Sequence, residues 1–146
     1  NRMDMTTREK KDILLKYRST VREIELLERE IQKWRSHAER MTASYHAAPA
    51  SGGSNRRSIE EAVEQIEKLT KRLIGYQADL IHTRGMIESA IESLEDPVLQ
   101  EILQLRYIEG ISLHQIAVKL GYSGRHLTRL HSAALKKMSL NVLYEP

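Results

Sequence analysis

Gly124, Arg125, Thr128 and Arg129 fall at the spacing that places them along one side of the opening turns of a helix. Two guanidinium forks and a hydroxyl with its methyl group are suited to the donor, acceptor and methyl edges of base pairs, and a glycine lets backbone approach closely. Lys119, His126, Lys136 and Lys137 add donors suited to phosphate oxygens. Ser112 and Ser123 stand at helix starts, where free N–H groups attract anions. No acidic residue occurs between Ile111 and Tyr144 in a chain that has 20 Asp and Glu, so nothing in this stretch repels a polyanion. A plain pair of packed helices would account for the apolar residues here, but not for the missing carboxylates.

The elements that must position these groups can be read locally. Ser112 is an N-cap, and Leu113, Ile116, Ala117 and Leu120 form the apolar stripe of a short helix. Gly121 supplies the left-handed residue that stops it, and Ser123 caps a second helix. On that helix Leu127, Leu130, Ala134 and Met138 recur on one face and pack back on the first. Ala117 leaves room where the two helices cross at a steep angle. The pattern predicts a helix-turn-helix whose outward face carries Gly124, Arg125, His126, Thr128, Arg129, Ser132, Lys136 and Lys137.

The run LQLRYIEGISLHQIAVKLGYSGRHLTRLHSAALKKM resembles region four of the bacterial sigma factors in its Leu-Arg-Tyr, Glu-Gly, Ile-Ala, Leu-Gly, serine cap and closing Ala-Leu-Lys-Lys. The likeness covers residues 96 to 138 and implies that the opening of the second helix contacts bases. Gly124 and Arg125 depart from the residues usual there, so no base preference is carried over. With a long helical hairpin ahead of the module, the whole chain is similar to phage-encoded regulators of the ArpU and RinA type, which implies activation of late genes. Nothing resembles the sigma segments for the minus-ten element and the polymerase clamp, so a complete sigma factor is not expected.

Composition fits a small regulator. The 146 residues are 40% hydrophobic and 29% charged, with no Phe and a single Trp, enough for one small core and an elongated element. Residues 1 to 96 hold 17 basic and 17 acidic side chains and residues 97 to 146 hold 6 and 3, so the whole net charge of +3 lies in the C-terminal part. The absence of cysteine excludes disulfides and thiolate metal sites. With no signal-peptide pattern and no apolar run near 18 residues, the expectation is a protein of the bacterial host cytoplasm, associated with the nucleoid and not with membrane.

The front of the chain reads as two long helices. Ile13, Tyr17, Thr20, Ile24, Leu27, Ile31, Trp34, Ala38, Met41 and Tyr45 alternate steps of four and three, the seam of a coiled coil. Ser58-Ile59-Glu60-Glu61 reads as a capping box opening the second helix, and Ile59, Ile66, Leu73, Leu80, Ile87 and Leu94 follow at sevens, with Ala62, Leu69, Tyr76, Thr83 and Ala90 between them. The expected fold is all-α: an antiparallel hairpin over 1–95, with helices at about 6–45 and 58–95 and a loop at 46–57, then a helix-turn-helix domain over 96–146. Leu14 and Val21 widen one seam and Val63 and Ile91 the other, which points to a homo-oligomer, a dimer in preference; a C-terminal module folded back on the hairpin would cover the same surface. Asp96-Pro97 starts a further helix, to Ile108, that offers Val98, Ile102, Leu105 and Ile108 to the module and ends at Gly110. The tail is apolar at Leu140, Val142, Leu143 and Tyr144.

Enzymatic chemistry finds no scaffold. The six histidines form no HExxH and no i, i+4 pair, Ser51-Gly52-Gly53-Ser54 lacks the lysine of a phosphate-binding loop, and Glu60-Glu61 is explained by capping. No cofactor, metal or catalytic residue is expected, and His126 and His131 read as phosphate neighbours or solvated groups. The function these residues predict is sequence-specific binding of double-stranded DNA by a transcription regulator, with RNA polymerase as a further partner. The alternatives are a small terminase-like packaging subunit and an interaction module that grips polymerase without DNA.

Overall fold

A computed structural model describes residues 5–47 and 52–140. The fold is all-helical among these residues: α1 (Thr7–Ala47), α2 (Gly52–Glu92), α3 (Pro97–Leu103) running into a π-helical turn (Gln104–Ile108), α4 (Leu113–Leu120) and α5 (Gly124–Lys137). The long α1 packs against α2 as a hairpin, and a small helical domain follows. The chain divides into two compact units, Asn1–Thr20 with Leu80–Pro146, and Val21–Asp79.

Within Val21–Asp79 the seams face inward as their spacing requires, except at Tyr45, near the end of α1, which is exposed. Leu27, Ile31 and Leu69 are buried, with Trp34, Ile66, Leu73 and Tyr76 packed around them, and Ile24 and Ala62 are also buried. One expectation is corrected here. Ser58–Glu61 does not open α2, which starts at Gly52, and α1 runs to Ala47, so helix takes both ends of the predicted loop at 46–57; residues 48–51 lie outside the described residues. The extra turns continue beside α1: the Asn55 side-chain amide donates to Ser44 Oγ at 3.2 Å, and Arg56 pairs with Glu60 one turn on. A helix already nucleated over ten turns extends at small cost per residue, so a capping box inside it need not end it.

The other unit holds the opening turns of α1, the last turns of α2 and everything after. Leu14, Tyr17, Ile87, Ala90, Ile91 and Leu94 are buried in it, together with Leu99, Leu103, Tyr107, Leu135, Met138 and Leu140. Leu14 and Ile91, expected to widen the seams and leave apolar surface, are thus covered within the chain, whereas Val63 and Leu26 of the other unit stay exposed. The tail beyond Leu140, with Val142, Leu143 and Tyr144, lies outside the described residues.

At the junction Asp96 accepts from the Val98 N–H at 2.9 Å and Pro97 takes the first turn of α3, as the sequence predicts. The Gln100 side-chain amide donates to the carbonyls of Leu94 and Glu92 and so satisfies the end of α2. The expected helix from Pro97 to Ile108 is not α-helical throughout. Its last turn widens to a π-turn, which buries Leu105 and Tyr107 and leaves Ile108 half-buried. The cause is that this segment must bury two faces: Ile102, Leu105 and Val98 pack toward α4 and α5, while Tyr107 reaches His131.

Candidate nucleic-acid interface

The interface is built on a core of Ile102, Leu105, Ile116, Ala117 and Leu127, with Val98, Ile111, Leu113, Leu120, Tyr122 and Leu130 around it. Ala117 is buried between α4 and its neighbours, where a larger side chain would force the helices apart. Ser112 caps α4 through a complete capping box: its Oγ accepts from the Gln115 N–H at 3.2 Å while Gln115 accepts from the Ser112 N–H. Gly121 sits at φ 75°, ending α4, and the Tyr122 N–H then returns to the Ala117 carbonyl at 2.9 Å. Ser123 caps α5 by accepting from the His126 N–H at 3.1 Å. The turn therefore has the caps and the left-handed glycine that its residues call for.

On α5 the inward face is Leu127, His131, Ala134 and Leu135, closed by Met138. Gly124, Arg125, Thr128 and Arg129, the candidate base-contacting residues, are all exposed on the other side. The Thr128 hydroxyl donates back to the Gly124 carbonyl at 2.8 Å, which leaves its oxygen and its methyl group outward. Of the candidate phosphate contacts, Ser112, Lys119, Ser123, Lys136 and Lys137 are exposed and His126 is half-buried, its ring edge-on to Tyr122 at 5.1 Å. Both serine oxygens already accept a capping bond, so each hydroxyl hydrogen remains for an anion.

His131 is not the phosphate neighbour or solvated group that its place among basic residues suggests. It is 6% exposed, and its Nε2 lies 2.7 Å from the Tyr107 hydroxyl with the two rings stacked at 5.7 Å. Burial first, then the charges of Lys11 and Arg106, lower its pKa to about 4. At neutral pH the ring is uncharged, and its Nε2 shares a hydrogen bond with the Tyr107 hydroxyl whose direction follows the ring tautomer. Burial likewise raises the Tyr107 pKa.

Two further residues act on this module and carry no local sequence signal. Lys10 is 7% exposed, and its Nζ donates to the carbonyls of Leu135 at 3.1 Å and Lys136 at 3.2 Å. Arg18 donates to the Ile108 carbonyl at 3.2 Å, and its guanidinium lies where a Cβ on Gly110 would stand. Gly110, at φ 76°, is favoured by its backbone, and a side chain there would also push the Arg18 guanidinium aside. The partners are separated by 125 and 90 residues, beyond any spacing rule.

Residues 91–139 match the family model described as Sigma-70, region 4. The C-terminal module is a helix-turn-helix of that type, a DNA-binding domain with a transcription-related role. No curated protein and no solved structure matches the chain. Among the described residues no helix is long and apolar enough to cross a membrane.

Proposed function

We propose that this chain is a sequence-specific transcription regulator, phage or prophage encoded and of the ArpU and RinA type, that activates late genes with α5 as its recognition helix. The observation that carries the DNA reading is the outward face of α5. Arg125 and Arg129 are exposed on a stretch without carboxylates, and no ion pair among the described residues engages either. With the start of α5 in the major groove, Arg125 and Arg129 reach guanine edges, Thr128 offers its oxygen or methyl group, and Gly124 admits close backbone approach. Ser112, Lys119, Ser123, His126, Lys136 and Lys137 hold phosphates on either side and set the register.

In this reading residues 96–146 read DNA and the hairpin of residues 1–95 joins copies of the chain. The exposed Val63 and Leu26 support a dimer, which would read half-sites about 34 Å apart or multiples of that distance. The hairpin is also the element free to touch RNA polymerase, and the setting for all of this is the bacterial cytoplasm.

Selection of duplexes from a random pool, followed by binding titrations at several salt concentrations, tests the reading. Affinity should fall steeply with salt. Arg125→Ala or Arg129→Ala should cost about 1–3 kcal/mol on the selected site and relax choice at one base, while Lys136→Ala should weaken all sequences alike and reduce the salt slope by about 1. Absence of salt-dependent binding leaves only the polymerase-binding alternative, and unchanged discrimination in the double arginine variant removes the base contacts. Light scattering checks the dimer, and native mass spectrometry showing rings of many subunits would favour the packaging subunit instead.

A further inference from the structure

We infer that the opening turns of α1 are a positioning element for the recognition helix, with Lys10 and Arg18 as positioning residues for DNA recognition. The inference rests on the DNA reading of α5 given above. Lysine is almost never buried without partners, yet the partners of Lys10 are no carboxylates. They are the carbonyls of Leu135 and Lys136, two of the last four in α5, which no N–H of the helix can satisfy. An ammonium at that point also opposes the partial negative charge at the helix C-terminus. Eight residues on, Arg18 holds the Ile108 carbonyl, just before the Gly110 turn that leads into α4. Leu14 and Tyr17 lie between them on α1, 0% and 3% exposed. One buried stripe of α1 therefore grips the helix-turn-helix at the end of its last helix and at the entry to its first.

The geometry turns that grip into control over recognition. The 14 residues of α5 span about 21 Å, with Lys10 bound near one end, Arg125 near the other and Arg129 close to the middle. A tilt of about 10° about the pinned end displaces the backbone by about 3 Å at Arg125 and about 2 Å at Arg129, more than the tolerance of a hydrogen bond to a base edge. Lys10 itself is no candidate for a phosphate contact, because its ammonium is spent on backbone carbonyls in the interior.

Full-length Lys10→Met and Lys10→Arg are compared with the unchanged protein below their melting temperatures, followed by circular dichroism. Lys10→Met keeps the aliphatic packing and removes the donors. It should bind the selected duplex about tenfold more weakly with an unchanged salt slope, and Lys10→Arg should recover most of the loss. Amide hydrogen exchange, which needs no DNA, should quicken over the last turn of α5 in Lys10→Met alone. A lower melting temperature with unaltered affinity would make the contact purely structural, and a slope reduced by about one would make Lys10 a phosphate contact; either overturns the inference. If Lys10→Met does not fold, Arg18→Met is read in the same binding assay with the same expected loss, and exchange is followed over the Gly110 turn and the start of α4 instead of the end of α5. If the unchanged protein binds no duplex, exchange decides alone: unaltered rates refute the positioning of α5, whereas quickened rates preserve it and refute only the DNA reading.

Discussion

Replacing His131 by Gln should flatten the acid limb of the protein's stability curve. An unfolded histidine titrates near 6.5, whereas the buried His131 ring titrates at about 4. Between those values the unfolded chain takes up a proton that the folded chain refuses. The stability tied to the neutral ring is therefore complete above pH 6.5 and is lost as pH falls toward 4. At about 1.4 kcal/mol for each pH unit of displacement, the loss amounts to about 3 kcal/mol, a large part of the stability of a small domain. Because His131 is almost fully buried, solvent screens little of it. Gln is chosen because its amide can accept from or donate to the Tyr107 hydroxyl, which an apolar substitute would leave buried and unpaired at a cost of about 1–3 kcal/mol. Urea unfolding of both proteins at intervals from pH 7.5 to 4 supplies the comparison, and carboxylates that titrate in the same range cancel in the difference. The unchanged protein should lose about 3 kcal/mol more than His131→Gln across that range. Parallel curves would show that the ring accepts its proton in the folded state, and the account of the Tyr107–His131 pair would fail.

Two further outcomes concern the frame around the recognition helix. Gly121→Ala should cost about 1–2 kcal/mol in thermal melts, because φ 75° is unfavourable for any L side chain although the space beside it is open. Gly110→Ala should cost more, since the new methyl group also displaces Arg18 from the Ile108 carbonyl; equal losses at the two glycines would deny that contact. Leu127→Ala, which empties a site in the core beneath α5, should lower stability by about 2–5 kcal/mol in urea unfolding and abolish DNA binding only through unfolding.

What could be read from the chain was what local rules govern. The steps of four and three in α1 gave the face that buries Ile24, Leu27 and Ile31, since a helix repeats its faces every turn whatever it meets. Ser112, Gly121 and Ser123 announced the turn because capping and left-handed backbone are satisfied within four residues. The run without carboxylates identified the candidate interface by composition alone. The start of α2 misled because Ser58 fits a cap locally, while the helix it sits in is prolonged by the neighbouring α1.

The amino-acid sequence by itself determined an all-helical chain with a hairpin, a helix-turn-helix and a basic outward face on α5. Tertiary structure decided the rest. It placed His131 inward against Tyr107, widened the turn that delivers Tyr107 there, and brought Lys10 and Arg18 onto carbonyls 125 and 90 residues away. Periodicity reports which side of a helix is apolar, but a polar residue near the edge of that side is buried or solvated according to which donor or acceptor another segment brings to it, and only the folded chain settles that.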